Sequence, residues 1–426
     1  MLENKILDQI KESKTAFHAV NTMVKALLNE GYQELFENES WKLNKGKYFV
    51  RRNNSSLIAF NIGADLSNYS FNIVASHTDS PTFKLKPNFE IENKSGNKLN
   101  TEGYGGMLDA TWFDRPLGIA GRCLIKDQGI KEVLVDLEKP MVTIPSLAIH
   151  LNRNANNNAT YNNQVDMLPL CGKTDIKKEL LTKLGLSEEA LLGFDLYLYN
   201  CERGYLWGCD NEFISAPQLD NLECCFTSLE AFLAVNPVKS INVVCSFDSE
   251  EVGSRTKQGA GGTFLQDVLK RINYSLGFTE EDYLKAISQS YLVSADNAHA
   301  SHPNYEGLYD QTNRTYMNKG VVIKYNSNGS YTTDGLSESI LINYLKDKNI
   351  PYQKFTNRSD MRGGSTLGNI SLSQVSLMSV DIGLPILAMH SASETGGAFD
   401  IDSMIDLLKE VYSHHIYLDK GTIKIE

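Results

Sequence analysis

A short run of apolar and β-branched residues at 241–246 constrains the fold of this chain more than any other stretch. Unbroken apolarity over this length is typical of a strand buried on both faces, which occurs in parallel sheets covered by helices. Asp248, Glu250 and Glu251 follow almost directly. In open α/β sheets, sites lie at the carboxyl ends of the strands. The stretch therefore predicts an acidic site at the edge of a parallel sheet.

The segments around this run alternate between helical and strand-like patterns. Residues 1–31 carry apolar residues at helical spacing and end at Gly31, which predicts a pair of helices covering a sheet. Three strand-like runs follow before residue 77, and after residue 211 strands alternate with helices as far as a closing helix at 401–415. This order predicts an α/β fold with a mixed, largely parallel sheet flanked by helices on both faces.

The region between the two α/β parts has a different character. From about residue 84 to residue 211 it contains short β-like runs separated by Gly, Asn and charged turns, with one helix-like stretch at 187–193. At 426 residues the chain has room for two domains. We therefore predict a mostly β domain inserted into the α/β domain. The predicted boundaries place the first α/β part at 1–90, the insertion at 91–211 and the second part at 212–426.

The charge and the cysteines exclude several classes of function. The net charge of -11 and the lack of clustered Lys and Arg argue against nucleic acid or an anionic membrane as a partner. No window approaches the roughly 20 apolar residues of a spanning helix, and the first residues contain no apolar signal core, so we expect a cytoplasmic protein. The seven cysteines form no C-x-x-C pair, which favours reduced packing residues over zinc ligands or disulfides.

Histidines and carboxylates recur where strand-like runs or turns end. These positions are His77, Asp220, Glu250 with Glu251, Asp296 and His390. Such groups, without thiolates, are typical of hydrolytic zinc, cobalt or manganese sites that keep a position open for water. Two divalent ions against three carboxylates would leave a net positive charge that acidifies a water and stabilises an oxyanion. Glu250 would then be the general base.

Spacing alone leaves rival candidates open. His299 and His302 are also placed to bind a metal, although a single histidine is more often a structural residue. His18 lies on the apolar face of a predicted helix, and His414 and His415 lie at the end of another. We assign these last three histidines to structural positions.

Five short motifs together resemble the M18 metallopeptidases, the aspartyl aminopeptidases. The motifs are Ser76-His77-Thr78-Asp79-Ser80-Pro81, Gln218-Leu219-Asp220-Asn221, Asp248-Ser249-Glu250-Glu251-Val252-Gly253-Ser254, Ser294-Ala295-Asp296-Asn297-Ala298-His299-Ala300 and Ala388-Met389-His390-Ser391. The resemblance extends through Phe17-His18-Ala19-Val20, Thr111-Trp112-Phe113-Asp114-Arg115 and Ala148-Ile149-His150-Leu151-Asn152-Arg153. It therefore spans nearly the whole chain, and the order and spacing of the motifs make it specific.

The resemblance implies a zinc-exopeptidase-like catalytic domain with defined roles for these residues. In that pattern, Asp220 bridges two divalent ions, His77 and Asp296 complete the first site, Glu251 and His390 complete the second, and Glu250 is the base. Zinc is the first candidate for both ions, with cobalt and manganese as alternatives.

The resemblance also implies substrate contacts and an assembly. His150 matches a family histidine that reaches a neighbouring subunit's active site, and Lys324 matches a lysine near the substrate pocket. Because a lysine there would pair with an acidic side chain, we expect an aminopeptidase that removes N-terminal Asp or Glu from peptides with a free N-terminus. The inserted domain is expected to mediate dimers that assemble into a dodecamer.

Two other functions stay open at this point. The same metals would also suit a hydrolase of N-acyl amino acids, in which case acetylation of the substrate amine would not abolish cleavage. A non-catalytic oligomeric scaffold is the other alternative. It requires at least one missing ligand, whereas every expected ligand is present.

Overall fold

The computed structural model describes residues 2–157 and 159–426. Within these ranges the helices are α1 (Leu2–Glu12), α2 (Ala16–Asn29), α3 (Ile176–Leu184), α4 (Leu219–Ala234), α5 (Phe264–Ser275), α6 (Glu280–Ser288), α7 (Gly335–Asp347), α8 (Leu367–Leu372) and α9 (Asp400–Ser413). The strands are β1 (Gln33–Leu35), β2 (Lys47–Arg52), β3 (Ser56–Ile62), β4 (Ser70–His77), β5 (Thr82–Ile91), β6 (Asn97–Tyr104), β7 (Leu117–Lys126), β8 (Ile130–Asp136), β9 (Leu170–Gly172), β10 (Leu191–Asn200), β11 (Tyr205–Trp207), β12 (Phe213–Ala216), β13 (Ser240–Phe247), β14 (Tyr291–Ala295), β15 (Ala298–His299), β16 (Val321–Tyr325), β17 (Tyr352–Thr356), β18 (Met378–Gly383), β19 (Pro385–Leu387), β20 (Glu394–Gly397), β21 (Ile416–Asp419) and β22 (Thr422–Ile425).

A nine-stranded sheet dominates the part of the chain that the structure describes. Its order is β1-β2-β3-β13-β4-β14-β18-β16-β17, and the four middle strands β13, β4, β14 and β18 run parallel to one another. On either side of them, β3 and β16 pair antiparallel with this group. The sheet is therefore mixed with a parallel centre, which confirms the predicted fold class.

Helices cover both faces of the nine-stranded sheet. One hydrophobic core contains side chains of α1, α2, α4, α7 and α9, and the core on the opposite face contains side chains of α5 and α6. Val74 and Ile73, successive residues of β4, enter different cores, as the alternation of side chains along a strand requires. Because every residue of β4 and β13 is buried, these strands are fixed by packing on two sides.

The predicted pair of N-terminal helices is formed by α1 and α2. Ile6 and Ile10 of α1 and Val20 and Leu27 of α2 are buried in the same core as α4. Just past the end of α2, Gly31 has a φ of +79°. Side chains rarely tolerate this left-handed region, so glycine suits the reversal that ends the helix.

A six-stranded antiparallel sheet is inserted into this frame. Its order is β8-β7-β10-β5-β6-β9, and all of its strands fall between Thr82 and Asn200. A separate hydrophobic core, which includes Phe83, Leu99 and Leu196, packs on it. The division into domains at residues 90 and 211 stays a prediction.

The prediction of a helix at 187–193 is wrong. Only a single 3₁₀ turn, Glu188–Ala190, occurs there, and Leu191 already begins β10. The helix of this region is α3, which starts at the N-cap Asp175 and ends at Gly185. The leucines at 191 and 192 belong to β10, which lies between β7 and β5 in the six-stranded sheet. Its pairing with β7 decides its structure, and the local pattern does not reveal that partner.

A five-stranded sheet, which the sequence did not predict, gathers chain segments that are far apart in sequence. Its order is β11-β12-β20-β19-β15. The strand β12 leads into α4, β15 follows β14, and β19 and β20 flank a turn at residues 388–393. These short strands thereby bring the start of α4 and the turn at 388–393 to the same edge of the nine-stranded sheet.

The cysteines behave as predicted for reduced residues. All seven are free thiols, with Cys201 half-buried, Cys209 exposed and the others buried. Among the residues that the structure describes, no helix combines the length and apolarity needed to cross a bilayer.

Candidate metal centre

The predicted ligands meet at the carboxyl edge of the parallel strands. His77 is the last residue of β4, Asp296 follows β14, and Glu250 and Glu251 form a 3₁₀ turn after β13. Because β13, β4 and β14 are neighbours, their ends bring these side chains together. Two further residues arrive from outside the parallel strands. They are Asp220 at the start of α4 and His390 in the turn between β19 and β20.

The side chains form two sets that share Asp220. In the first set, His77 Nε2 lies 3.4 Å from Asp220 Oδ1 and 3.5 Å from Asp296 Oδ1. In the second, His390 Nε2 lies 3.4 Å from Asp220 Oδ2 and 3.4 Å from Glu251 Oε2. The two oxygens of one carboxylate therefore face two different histidines.

These residues fit divalent metal ions. Ligand atoms of His77, Asp220 and Asp296, and likewise of Asp220, Glu251 and His390, lie within 4.8 Å of one another. Asp220 Oδ1 and Glu251 Oε1 are buried and have no hydrogen-bond donor among the described residues. A buried carboxylate oxygen without a donor is costly unless a cation satisfies it. Imidazole and carboxylate are ligands that zinc and related hydrolytic metals accept.

Both histidines are oriented to offer Nε2 to a metal. His77 Nδ1 donates to the backbone carbonyl of Asp79 at 3.1 Å, and His390 Nδ1 donates to the carbonyl of Gly106 at 2.8 Å. A carbonyl only accepts, so each Nδ1 carries a proton, and Nε2 is the nitrogen that faces the carboxylates and that a metal ion would bind. Hydrogen bonds of this kind fix the tautomer and raise the basicity of metal-binding histidines.

Asp79 organises the acidic turn. Its Oδ1 accepts a hydrogen bond from the backbone N–H of Glu250, and its Oδ2 accepts one from that of Glu251, each at 3.1 Å. The Tyr104 hydroxyl donates to Oδ2 at 2.8 Å. One buried carboxylate thus fixes the backbone of both acidic residues. Asp79 stands two residues after His77, but sequence reasoning assigned it no role.

Glu394 is a second organising carboxylate that sequence reasoning missed. Its Oε2 accepts from the Asp220 N–H at 2.9 Å and its Oε1 from the His390 N–H at 2.6 Å. It therefore ties together the two residues that come from outside the parallel strands. Burial, followed by the charge of Asp220, raises the pKa of Glu394 to about 8. No pattern in the sequence around Glu394 marks this position.

The backbone is strained at or beside two of the predicted ligands and the predicted base. Gln218, Ser249 and His390 have φ values of 64°, 66° and 68°, a region that non-glycine residues rarely adopt. Such conformations cost about 1–3 kcal/mol each and persist where the surroundings fix them, often at functional sites. Here they lie at the turns that deliver Asp220, Glu250 and His390.

Charges inside the centre shift the acidity of its members. Burial raises the pKa of Glu250 to about 8, and nearby carboxylates act in the same direction against the charge of His77. Burial disfavours ionised Asp220, yet contacts with His390 and His77 outweigh it and lower its pKa below the ordinary value. A carboxyl group that titrates near neutral pH is suited to taking up and releasing a proton.

A cleft of about 750 Å³ opens onto these residues. It is lined by His77, Asp220, Glu250, Glu251, Asp296, Asn297, Ala298, His299, Lys324, Tyr331, Phe355, Gly364, Ser365, Thr366, Met389 and His390. Lys324 is only 3% exposed, and its Nζ donates to the carbonyl of Asn297 at 2.8 Å. The cleft therefore combines an acidic, metal-binding wall with one buried cation.

The remaining candidate histidines lie in different places. His299 lines the cleft, whereas His302 Nδ1 accepts from the Asn304 N–H outside it. His18 Nδ1 on α2 lies 2.9 Å from the hydroxyl of Thr15, which precedes the helix, in keeping with the structural position assigned to His18. His150 is exposed in a turn and is not among the residues that line the cleft of its own chain.

A histidine and carboxylate centre at the mouth of such a cleft, on a three-layered α/β frame, is that of a metal-dependent hydrolase. Residues 9–412 match the family model described as aminopeptidase I zinc metalloprotease (M18). The chain belongs to the M18 family of zinc metallo-aminopeptidases.

Similar proteins agree with this membership. "Probable M18 family aminopeptidase 2" of Clostridium novyi (strain NT) is 44% identical over 424 residues, which cover 96% of this chain and 98% of the relative. The cryo-EM structure of an Ape4 and Nbr1 complex contains a chain with 35% identity and a TM-score of 0.91, over 96% of this chain and 84% of that one. The mApe1 dodecamer of S. cerevisiae has 26% identity and a TM-score of 0.83, over 96% and 98% of the chains.

Proposed function

We propose that this aminopeptidase works with two divalent metal ions. Asp220 would contribute to both, His77 and Asp296 would hold the first, Glu251 and His390 would hold the second, and Glu250 would be the general base. The observation that carries the proposal is the position of Asp220, whose two oxygens each lie 3.4 Å from the Nε2 of a different histidine. When bound, the ions would polarise the scissile carbonyl and acidify a water.

The residues of the chain perform the proton transfers. Glu250 faces the cleft beside His77 and Asp296, and it takes the proton of the attacking water. The carboxyl group then passes this proton to the leaving amine, which breaks the peptide bond and returns Glu250 to its ionised form. Asp79 holds the Glu250 backbone still during both transfers.

We further propose that the enzyme prefers N-terminal Asp or Glu. Lys324 is a buried cation in the same cleft, and a carbonyl group occupies one of its three donors. The remaining donors can bind the carboxylate of an acidic side chain, since a charge-assisted hydrogen bond is strong where water is excluded. The overall charge of -11 would repel such substrates elsewhere on the surface, so a local cation is required.

Self-association forms part of the proposal. Leu147, Ile149 and Leu151 are exposed around His150, and contiguous exposed apolar side chains mark interaction surfaces. A structural neighbour is described as a dodecamer. We propose that copies of this chain form dimers that build a dodecamer in the cytoplasm, and that His150 reaches the cleft of a neighbouring copy.

A metal titration tests the proposed centre. The chelated enzyme is reloaded with zinc, cobalt or manganese, and bound metal per chain and hydrolysis are measured across substrates with different N-terminal residues. We expect two ions per chain and highest kcat/KM for Asp and Glu substrates. Full activity with a single bound ion would contradict the dinuclear centre. Cleavage of N-acetylated substrates at an unchanged rate would instead indicate a hydrolase of N-acyl amino acids.

A further inference from the structure

The inserted six-stranded sheet touches the metal centre directly. Tyr104 at the end of β6 donates its hydroxyl to Asp79 Oδ2 at 2.8 Å. Two residues later, the carbonyl of Gly106 accepts from His390 Nδ1 at 2.8 Å, and the Leu108 N–H donates to the His390 carbonyl at 3.0 Å. Residues 104–108 thus contact both Asp79, which fixes the Glu250–Glu251 turn, and His390.

Asp79 is the point through which this segment acts. Its side chain is 4% exposed and accepts three hydrogen bonds, two from the backbone N–H groups of Glu250 and Glu251 and one from Tyr104. Its Oδ1 also lies 3.5 Å from His77 Nδ1. The Tyr104 hydroxyl is the only one of these donors that comes from the inserted sheet. It shares Oδ2 with the Glu251 N–H, so it restrains rotation of the carboxylate.

We infer that Tyr104 is a positioning residue through which the inserted sheet holds the metal ligands in place. The inference rests on the proposed dinuclear centre. Without the hydroxyl, Asp79 Oδ2 loses its one side-chain donor, and the turn carrying Glu250 and Glu251 is held less tightly. Asp79 is the direct partner of the ligand-bearing turn, and loss of such partners typically changes metal affinity by about 10- to 100-fold; Tyr104 acts through Asp79.

The chain offers a matched control in Tyr197 on β10. Its ring packs edge to face on the Tyr104 ring, with 5.8 Å between the centroids. Both tyrosines line the same small pocket beside Asp79. Replacing either tyrosine by phenylalanine removes one hydroxyl and preserves the packed ring. Only Tyr104 donates to Asp79.

The test measures zinc affinity by competition with a chelator in the full-length protein. We expect Tyr104→Phe to weaken zinc binding about 10-fold or more and Tyr197→Phe to leave it unchanged, with similar Tm values for the two metal-free variants. Wild-type affinity in Tyr104→Phe, or equal losses in both variants, would overturn the inference. If the wild-type protein itself bound fewer than two zinc ions, the proposed function would fail instead.

A double variant shows whether Tyr104 acts through Asp79. If it does, Asp79→Ala combined with Tyr104→Phe binds zinc no more weakly than Asp79→Ala alone, because Asp79→Ala already removes the acceptor of the Tyr104 hydroxyl. If the losses of zinc affinity from the two substitutions multiply in the double variant, the inference is overturned. Should Tyr104→Phe fold poorly, hydrogen exchange in its folded fraction supplies the second measurement. The Glu251 amide is then expected to exchange faster than in Tyr197→Phe, and equal exchange would count against the inference.

Discussion

The nine-stranded and six-stranded sheets contribute to the candidate site in different ways. Strand ends of the nine-stranded sheet deliver reactive side chains, with His77, Glu250, Glu251 and Asp296 leaving the neighbouring strands β4, β13 and β14. The six-stranded sheet delivers a carbonyl, a backbone N–H and one hydroxyl, all from residues 104–108.

The two sheets are not interchangeable, for a geometric reason. A parallel sheet collects side chains at one edge because all of its strands end there. An antiparallel sheet has no such edge, so it can support a site only where one of its loops reaches across. The first sheet should therefore control the chemistry, and the second should control how firmly the catalytic residues are held.

The largest effect is expected from Glu250→Gln, which tests the chemical role of the nine-stranded sheet. The amide keeps the shape of the side chain but accepts no proton, so kcat should fall roughly 10²- to 10⁴-fold. Metal content, measured by elemental analysis, should stay at the wild-type level because Glu250 is not a proposed ligand. Near-normal turnover would remove Glu250 from its role as base.

A smaller effect is expected from Lys324→Met, which tests whether the same sheet also selects the substrate. Loss of a charge-assisted hydrogen bond should lower the ratio of kcat/KM for Asp over Ala substrates about 10- to 100-fold. Lys354→Met is the matched control, since Lys354 lies on the neighbouring strand β17 and pairs with Glu338 outside the cleft. An unchanged ratio in Lys324→Met would show that acidic selectivity, if present, has another source.

His150→Ala tests the part assigned to the inserted region. If His150 reaches a neighbouring copy, the variant should lose about 10-fold in kcat/KM, as expected for one lost polar contact to a charged group. Co-expression with Glu250→Gln chains, which keep His150, should then restore activity to some of the mixed sites. Activity of the mixture equal to the sum of the separate variants would place His150 within its own chain or outside the reaction.

The smallest effect is expected from Glu223→Gln, a change in the frame beneath the site. Glu223 lies on α4 and is fully buried; burial raises its pKa to about 8, above the ordinary value near 4.5. The folded protein therefore keeps a proton that the unfolded chain releases, and stability declines as pH rises from about 4.5 to 8. Glu223→Gln should flatten this decline, with a Tm advantage of a few degrees at pH 8 that shrinks toward pH 5. A constant difference across this range would contradict it.

Much of the nine-stranded sheet could be predicted from the sequence. Its central strands are buried on both faces, and their apolar runs end at polar residues that mark the edge of the sheet. For the same reason, the sequence placed His77, Glu250 and Asp296 at the ends of strands, whereas the strand order that brings them together is seen only in the structure. Asp220 and His390 were also candidates at the ends of apolar runs, but no pattern predicted the five-stranded sheet that places them, because its strands have only two to four residues.

The supporting groups could not be predicted for physical reasons. Gly106 acts through its carbonyl, which every residue has, so no residue type marks the position. Glu394 and Tyr104 act by filling hydrogen-bond positions that exist only after distant segments have packed. The incorrect prediction of a helix at 187–193 has a similar cause, since the pairing of β10 with β7 overrides the local pattern.

The parallel alignment of β13, β4 and β14 also sets the scale of the site. Adjacent strands in any sheet are separated by about 4.8 Å, a distance fixed by backbone hydrogen bonds and independent of side-chain identity. Residues at matching positions on two adjacent strands therefore lie at a separation comparable to the distance between the two ions of two-metal enzymes, about 3.5–4 Å. Because the main chain sets this spacing, substitutions around the cleft can change substrate choice without altering the distance at which the two proposed cations would be held.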